Sequence, residues 1–222
     1  MDTFPEETPK TAMRLSPDPG DVVDPHPRPD RPCARETMST MTSTPRRLSA
    51  VDLVTYTPGL AALLVDAVED GASVGFLAPL AIDGAAEWWA GQAGSIRGNR
   101  TILWATADAS GVTGTVQLHL APLPNSRNRA SIAKLLVHRR ARNNGVARRL
   151  LSAAEQFATE SGITLLTLDT ETGSPAETLY KKTGWTESGT IPGYAADPSG
   201  TLRSTTILYK ELPPIPRAPA SH

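Results

Sequence analysis

Residues 131–168 read SIAKLLVHRRARNNGVARRLLSAAEQFATESGITLLTL, and three patterns follow one another within them. Ser131 to Val137 is an apolar run of strand length. Val146 to Thr159 sets Val146, Leu150, Ala153, Ala154 and Phe157 along one stripe of a helix. Thr164 to Leu168 is a second apolar strand. A strand, a helix and a strand in so short a span predict two parallel strands joined by a right-handed crossover.

On the C-terminal side, Ser174 reads as a helix N-cap, Pro175 as its first helical residue and Glu177 as the third member of a capping box. That helix should run to Lys182 and stop at Gly184. Trp185 to Ser188 and Thr205 to Lys210 read as two more strands, separated by a long loop containing Pro192-Gly193-Tyr194 and Asp197-Pro198-Ser199-Gly200. On the N-terminal side, Thr101–Ala107 and Val112–Leu120 are joined by Asp108-Ala109-Ser110-Gly111, a hairpin signal that predicts antiparallel neighbours. A helix is expected over Asp83–Gln92 and another over Pro58–Glu69, with Leu60, Leu63, Leu64 and Val68 facing inward. Ala50 to Thr55 reads as a strand. The fold class is mixed α/β (α+β), with an antiparallel first half and the crossover unit after it.

The chain has 222 residues, 39% apolar and 20% charged, with a formal net charge of −1. That is ordinary globular composition, and it argues against a surface built throughout for nucleic acid or anionic lipid. Residues 1–47 are expected to be a disordered extension: nine of the 20 prolines fall within the first 45 positions, with Phe4 the only aromatic there. Residues 48–212 form the predicted domain, and 213–222 a disordered proline-rich tail. Cys33 is the only cysteine, so there is no internal disulfide and no thiolate metal cluster. His119 and His138 lack the pattern of a zinc site, and no metal is expected. The most apolar run, Leu60–Val65, is far shorter than a membrane span, and the acidic N-terminus does not read as a signal peptide. The expectation is a cytoplasmic protein.

From Ala109 to Ala154 there is no Asp or Glu, yet the segment holds Arg127, Arg129, Lys134, Arg139, Arg140, Arg142, Arg148 and Arg149. Five of these eight lie between Arg139 and Arg149, at the entry to the central helix. Cations at a helix N-terminus oppose its dipole, so the cluster predicts a bound anion such as a phosphate. The turn Arg142-Asn143-Asn144-Gly145-Val146-Ala147 supplies Gly and Asn for tight backbone geometry and free amides at a helix start, an anion cradle. A Walker A site is excluded because no G-K-[ST] follows.

The span from Ser131 to Gly184 resembles the acetyl-CoA signature of the GNAT acyltransferases: strand, [QR]-x-x-G-x-[GA], helix, strand, then A-x-x-x-Y-x-x-x-G, met by Ala176, Tyr180 and Gly184. Over most of Leu48–Leu212, including Gly71–Phe76, Leu168–Glu171, Ser174–Glu177 and Pro192–Tyr194, the chain is similar to members that inactivate a β-lactam amino-acid toxin. The resemblance implies a mixed sheet with flanking helices and a splayed parallel strand pair that admits acetyl-CoA. It places the pyrophosphate on the amides of Arg142, Asn143, Asn144, Gly145, Val146 and Ala147, and the pantetheine arm along Leu135, Leu136 and Val137. Tyr180 matches the residue that hydrogen-bonds the thioester sulfur and donates to the departing thiolate.

Two positions depart from the family pattern. Ser131 stands where many relatives have a glutamate, which leaves the general base to Asp169, with Glu171 second. Gly173 stands where many have an asparagine that contacts pantetheine. Ser131, Glu171 and Tyr194 fall where relatives shape the acceptor pocket. The expected acceptor is the primary amine of a small amino-acid-like molecule, in the manner of toxin or antibiotic resistance, and a homodimer is compatible with the resemblance. The alternatives are acetylation of a protein N-terminus or lysine, a non-catalytic acetyl-CoA sensor, and a nucleic-acid-binding role for the basic stretch. The last is disfavoured because stacking aromatics are missing from the patch.

Overall fold

The computed structural model describes residues 44–214. The expectations for the two proline-rich termini, and the position of Cys33, lie almost wholly outside that range.

The elements follow in the order β1 (Arg46–Leu48), α1 (Ala50–Glu69), α2 (Ile82–Gly91), α3 (Ala93–Arg97), β2 (Thr101–Asp108), β3 (Gly111–Leu120), β4 (Arg129–Val137), α4 (Val146–Glu160), β5 (Leu165–Glu171), α5 (Pro175–Lys182), β6 (Thr186–Ala196) and β7 (Leu202–Glu211). The strands make one seven-stranded sheet in the order β1-β2-β3-β4-β5-β7-β6, antiparallel except for β4 and β5. One core fills the face under α1 and α2, including Leu64, Trp89 and Leu103; the other fills the face under α4 and α5, including Leu118, Leu150 and Leu166.

The segment Ala50–Thr55, expected as a strand, is the start of α1. Its β-branched residues suggest a strand, but Ser49 and Asp52 form a reciprocal cap: Ser49 Oγ accepts from Asp52 N at 3.2 Å, and Asp52 Oδ2 accepts from Ser49 N at 2.9 Å. Such a cap is worth about 1 kcal/mol and starts the helix two turns before Pro58. Pro58 removes the N–H that would bond the Val54 carbonyl, and Val54 is 78% exposed, where water can take its place. With these residues included, α1 is 20 residues long with a mean hydropathy of 1.4 over its most apolar window, long and apolar enough to cross a membrane by length and composition. Here it is a core helix, with Leu53, Leu60, Leu63, Leu64 and Val68 buried.

The second capping box is realised only in part. Ser174 Oγ accepts from Glu177 N at 3.1 Å, but the Glu177 carboxylate reaches past the cap to Gly173 N at 2.6 Å. The expected loop around Pro192 is strand instead. β6 runs through it as a bulged edge strand, where proline's missing donor is tolerated, and only Asp197–Thr201 turns the chain into β7.

Two features place α4 against the sheet. At Gly114 in β3 a Cβ would lie 2.9 Å from Val146 Cγ1 and 3.0 Å from both Leu136 O and Leu150 Cδ1, so only glycine lets the first turn of α4 approach so closely. On the other flank, β4 pairs with β5 only through Arg129–Ser131 and Leu165–Thr167, although β4 continues to Val137 and β5 to Glu171. The two strands part beyond that point because each follows its other neighbour, β4 staying with β3 and β5 with β7. A bulge in β4, where Lys134 and Leu135 together face Val116, bends the strand as it leaves; Lys134 has φ +49°.

Candidate active site

The turn before α4 is an arrangement of backbone donors. Asn143 (φ +62°) and Gly145 (φ +71°) are both left-handed, and α4 starts at Gly145 with no side-chain cap. Left-handed residues alternating with ordinary ones make a concave nest of N–H groups, and the uncapped amides of the first turn continue it. Arg149 Nη1 braces the turn by donating to Asn144 O at 2.9 Å.

The arginine cluster is less electropositive than the sequence suggests. Acids from distant segments meet it: Arg139 Nε is 2.7 Å from Asp66 Oδ1, Arg140 Nη1 2.5 Å from Asp108 Oδ2, and Arg142 Nη1 2.6 Å from Asp70 Oδ2. The local absence of acids in the sequence is thus not an absence in space, and these three arginines do not require an anion. Asp66 is 7% exposed and also accepts from Arg139 N at 3.0 Å. Burial works against its charge, but the Arg139 hydrogen bonds and the neighbouring His138 and Arg139 charges hold its carboxyl below the usual range. Among the described residues, Arg148 and Arg149 have no carboxylate partner, and the buried Arg149 Nε has no acceptor. Both lie in the first turn of α4, and Arg149 reaches back to the nest.

Next to the nest, the splayed edge of β4 offers unpaired backbone. His138 N donates to Thr113 O of β3 at 3.0 Å, so by strand alternation the Val137 amide and carbonyl turn toward the gap between β4 and β5. The carbonyl accepts from Arg142 Nε at 3.3 Å, and the amide has no strand beside it. Leu136 is buried beneath α1, whereas Leu135 and Val137 pack partly against the α4 core. Tyr180, on α5, is 6% exposed, with its ring edge-on to Trp185 at 5.7 Å. Burial, and secondarily the charge of Asp169, raises its phenol far above the ordinary value, so at neutral pH it is a hydrogen-bond donor and not a base.

The sheet face under α1 and α2 is polar around the split. Leu166 and Leu168 of β5 and Leu118 and Ile132 of β3 and β4 point into the α4 core, so alternation puts Thr167, Asp169, Glu171, Gln117, His119 and Ser131 on the opposite face. Ser131 pairs with both His119 and Thr167, at the last rung before the strands part. Asp169 is exposed and Glu171 half-buried. His119 Nε2 lies 2.9 Å from Gln117 Oε1, and burial followed by the Lys134 charge lowers its basicity, which keeps the imidazole neutral. Tyr194 lies in the β6 bulge and is 51% exposed; its ring does not anchor the segment by burial.

This face is roofed. The segment between α1 and α2 reaches across it, held to β4 by Lys134 Nζ donating to Val74 O at 2.9 Å. It is held to the β6–β7 turn by Ala78 N donating to Pro198 O at 2.9 Å and Ser73 Oγ donating to Ala196 O at 3.3 Å. Lys134 and His119 carry no motif and were not picked out by sequence reasoning. The available signal was alternation: Lys134 is the one charged residue inside an apolar strand, and His119 repeats at period two with Gln117.

A nest at a helix start thus stands beside a parallel strand pair that parts to expose backbone donors, the arrangement that the resemblance to the acyltransferases implies. The model of the acetyltransferase (GNAT) family matches residues 60–185, more than half of the chain. The chain belongs to the GNAT acetyltransferase family and is an N-acetyltransferase whose acyl donor is acetyl-CoA. Solved structures share the fold at low identity. The ribosomal-protein-alanine N-acetyltransferase of Brucella melitensis is 21% identical with a TM-score of 0.59, over 76% of this chain and 99% of that one. A phosphinothricin acetyltransferase of Sinorhizobium meliloti, solved in complex with acetyl-CoA, is 20% identical with a TM-score of 0.62, over 78% and 89%. An N-acetyltransferase of Staphylococcus aureus Mu50 is 18% identical with a TM-score of 0.62, over 76% and 98%.

Proposed function

We propose that this protein transfers the acetyl group of acetyl-CoA to the primary amine of a small amino-acid-like molecule, as a cytoplasmic enzyme that inactivates a toxin or antibiotic. The observation that carries the acceptor class is the roof over the polar face. A segment tied to β4 at Val74, and at Ser73 and Ala78 to the end of β6 and the β6–β7 turn, favours a small acceptor over a peptide lying across the sheet. The phosphinothricin acetyltransferase among the structural relatives is in keeping with this, as is the sequence resemblance of Gly71–Phe76, Leu168–Glu171 and Pro192–Tyr194 to a family member that inactivates a β-lactam amino-acid toxin, the tabtoxin resistance protein.

Acetyl-CoA supplies an activated thioester. The amides of Arg142 to Ala147, with Arg148 and Arg149, would hold its pyrophosphate, and the free edge of Leu135 to Val137 would align the arm. The Val137 amide is the donor available to a developing oxyanion. The Tyr180 phenol hydrogen-bonds sulfur and stabilises the departing thiolate. Because burial raises its pKa above that of a thiol, complete transfer of its proton is unfavourable, and the hydrogen bond is its contribution. Asp169, exposed at the end of β5 on the acceptor face, takes the ammonium proton directly or through water, with Glu171 and Ser131 lining the same face.

Calorimetry with acetyl-CoA, followed by thiol release on a panel of amino acids, phosphinothricin, tabtoxinine-β-lactam and peptides with N-terminal alanine, tests this reading. One-site binding and faster turnover of the free amino acids than of the peptides is the expected outcome. Binding without turnover on any amine would make the protein a sensor, and preference for peptides would make it a protein acetyltransferase.

A further inference from the structure

Lys134 is held in an unusual way for a cation. It occupies the left-handed region at the β4 bulge, where a side chain other than glycine is strained, and its ammonium reaches under the roof. Nζ lies 5.2 Å from the Trp88 ring centroid and 5.8 Å from that of Phe76. It sits close to Gly75, whose Cβ, were there one, would be 3.6 Å away. Of its three donors, one goes to Val74 O; among the described residues no carboxylate lies within ion-pair distance, and no other acceptor is hydrogen-bonded to it.

The surroundings are rich in donors and poor in acceptors. Gln117, 1% exposed, pairs with Ala133 beside the bulge, and its buried Nε2 has no partner among the described residues. The neutral imidazole of His119 occupies the Gln117 carbonyl. If the ammonium served only to pin the roof, a neutral donor would do so without a desolvated charge. On the same face, across the split, stand the carboxylates of Asp169 and Glu171. The face therefore has a cationic pole on β4 and an anionic pole on β5.

We propose that the Lys134 ammonium binds the carboxylate of the acceptor, so that the enzyme selects zwitterionic amines, with the acceptor's amine directed to the Asp169 side of the split. This rests on the acetyltransferase reading above and specifies its substrate class. Lys134 is then a specificity-determining residue that touches the substrate and takes no part in proton transfer. Burial lowers its basicity while the charge of Asp169 raises it, as fits a cation that completes its ion pair only when an anion is bound.

The test uses the full chain at saturating acetyl-CoA, with thiol release measured on L-amino acids and phosphinothricin and on the matching carboxamides. Wild type should prefer the acids by about tenfold or more in kcat/KM. Lys134→Met, which keeps the apolar stem against Phe76 and Trp88 but gives up the bond to Val74 O, should raise KM for the acids by roughly 10- to 100-fold more than for the carboxamides, whose smaller change reports the loosened roof. Its acetyl-CoA Kd, measured by calorimetry, should stay at the wild-type value, which shows that the fold and the donor site are intact. Equal use of acids and amides by wild type overturns the proposal, and so does an equal loss on both in Lys134→Met. Acetylation of uncharged amines or peptides alone overturns it too. Failure of wild type to bind acetyl-CoA would instead overturn the acetyltransferase reading on which it rests.

Discussion

Substituting Gly145 separates the geometry of the anion turn from its electrostatics. Gly145 has φ +71° and ψ 8°, and a Cβ there would lie 3.2 Å from Arg149 Nη1. A non-glycine residue in this region costs about 1–2 kcal/mol. Displacing Arg149 endangers its bond to Asn144 O, worth about 1 kcal/mol more. Gly145→Ala should therefore lose on the order of 2–3 kcal/mol, which for a domain of this size is a fall in Tm of roughly 4–12 °C. Its acetyl-CoA affinity should remain within about tenfold, because the amides are still present. Gly145→Glu carries the same backbone cost and adds a carboxylate. At about 5 Å from a phosphate and an effective dielectric near 20, one like-charge pair costs on the order of 3 kcal/mol, roughly a 100-fold loss of affinity. Thermal unfolding and calorimetry on the two variants measure the two effects. Equal affinity of Gly145→Glu and wild type would refute the pyrophosphate assignment, and an equal loss in both variants would show that turn distortion, not charge, matters.

Other substitutions read the rest of the site. Tyr180→Phe should keep the acetyl-CoA Kd and lower kcat by about 10- to 100-fold, by loss of one charge-assisted hydrogen bond to sulfur; unchanged kcat in steady-state assays would remove Tyr180 from the mechanism. Gly114→Ala should overpack the contact with Val146 and Leu150, costing about 1–3 kcal/mol in denaturant unfolding, and weaken acetyl-CoA binding by shifting the start of α4. Asp66→Asn should destabilise by about 1–3 kcal/mol at pH 7. Because the folded Asp66 carboxyl titrates below its ordinary value, the difference from wild type should be complete above about pH 4 and vanish as pH falls below it. Asp197 accepts from Ser199 and Arg203, which hold it down to about 2. The β6–β7 turn, and the roof tied to it, should therefore lose stability as pH falls from about 4 toward 2 in wild type and not in Asp197→Asn, as read by hydrogen exchange of the turn amides.

The legible parts of this protein are those whose causes lie within a few residues. The strand, turn and helix of residues 131–160, the Asp108–Gly111 hairpin and the Ser174–Pro175 start of α5 follow from periodicity, caps and turn residues, and all are in the structure. The nest could be read from Asn143 and Gly145 because backbone permissiveness is a property of single residues. The Ser49–Asp52 cap was equally local, yet the β-branched residues of 51–55 favoured a strand until packing against the sheet was known.

Electrostatics and the acceptor site were decided elsewhere. The partners of Arg139 and Arg142 come from the end of α1, about 70 residues earlier, so a run without acids in the sequence became a network of ion pairs. The face shared by His119, Lys134, Asp169 and Glu171 depends on strand order and on a bulge that only pairing with β3 creates. Periodicity within one strand assigns residues to two faces, but it cannot say which face a neighbouring strand will share or where two strands will part. By itself, then, the sequence determined the nest before α4, a local backbone device. Only the tertiary structure decided the free edge of β4 and the polar face proposed for the acceptor, because these are assembled from three strands and a roof, brought together by non-local pairing.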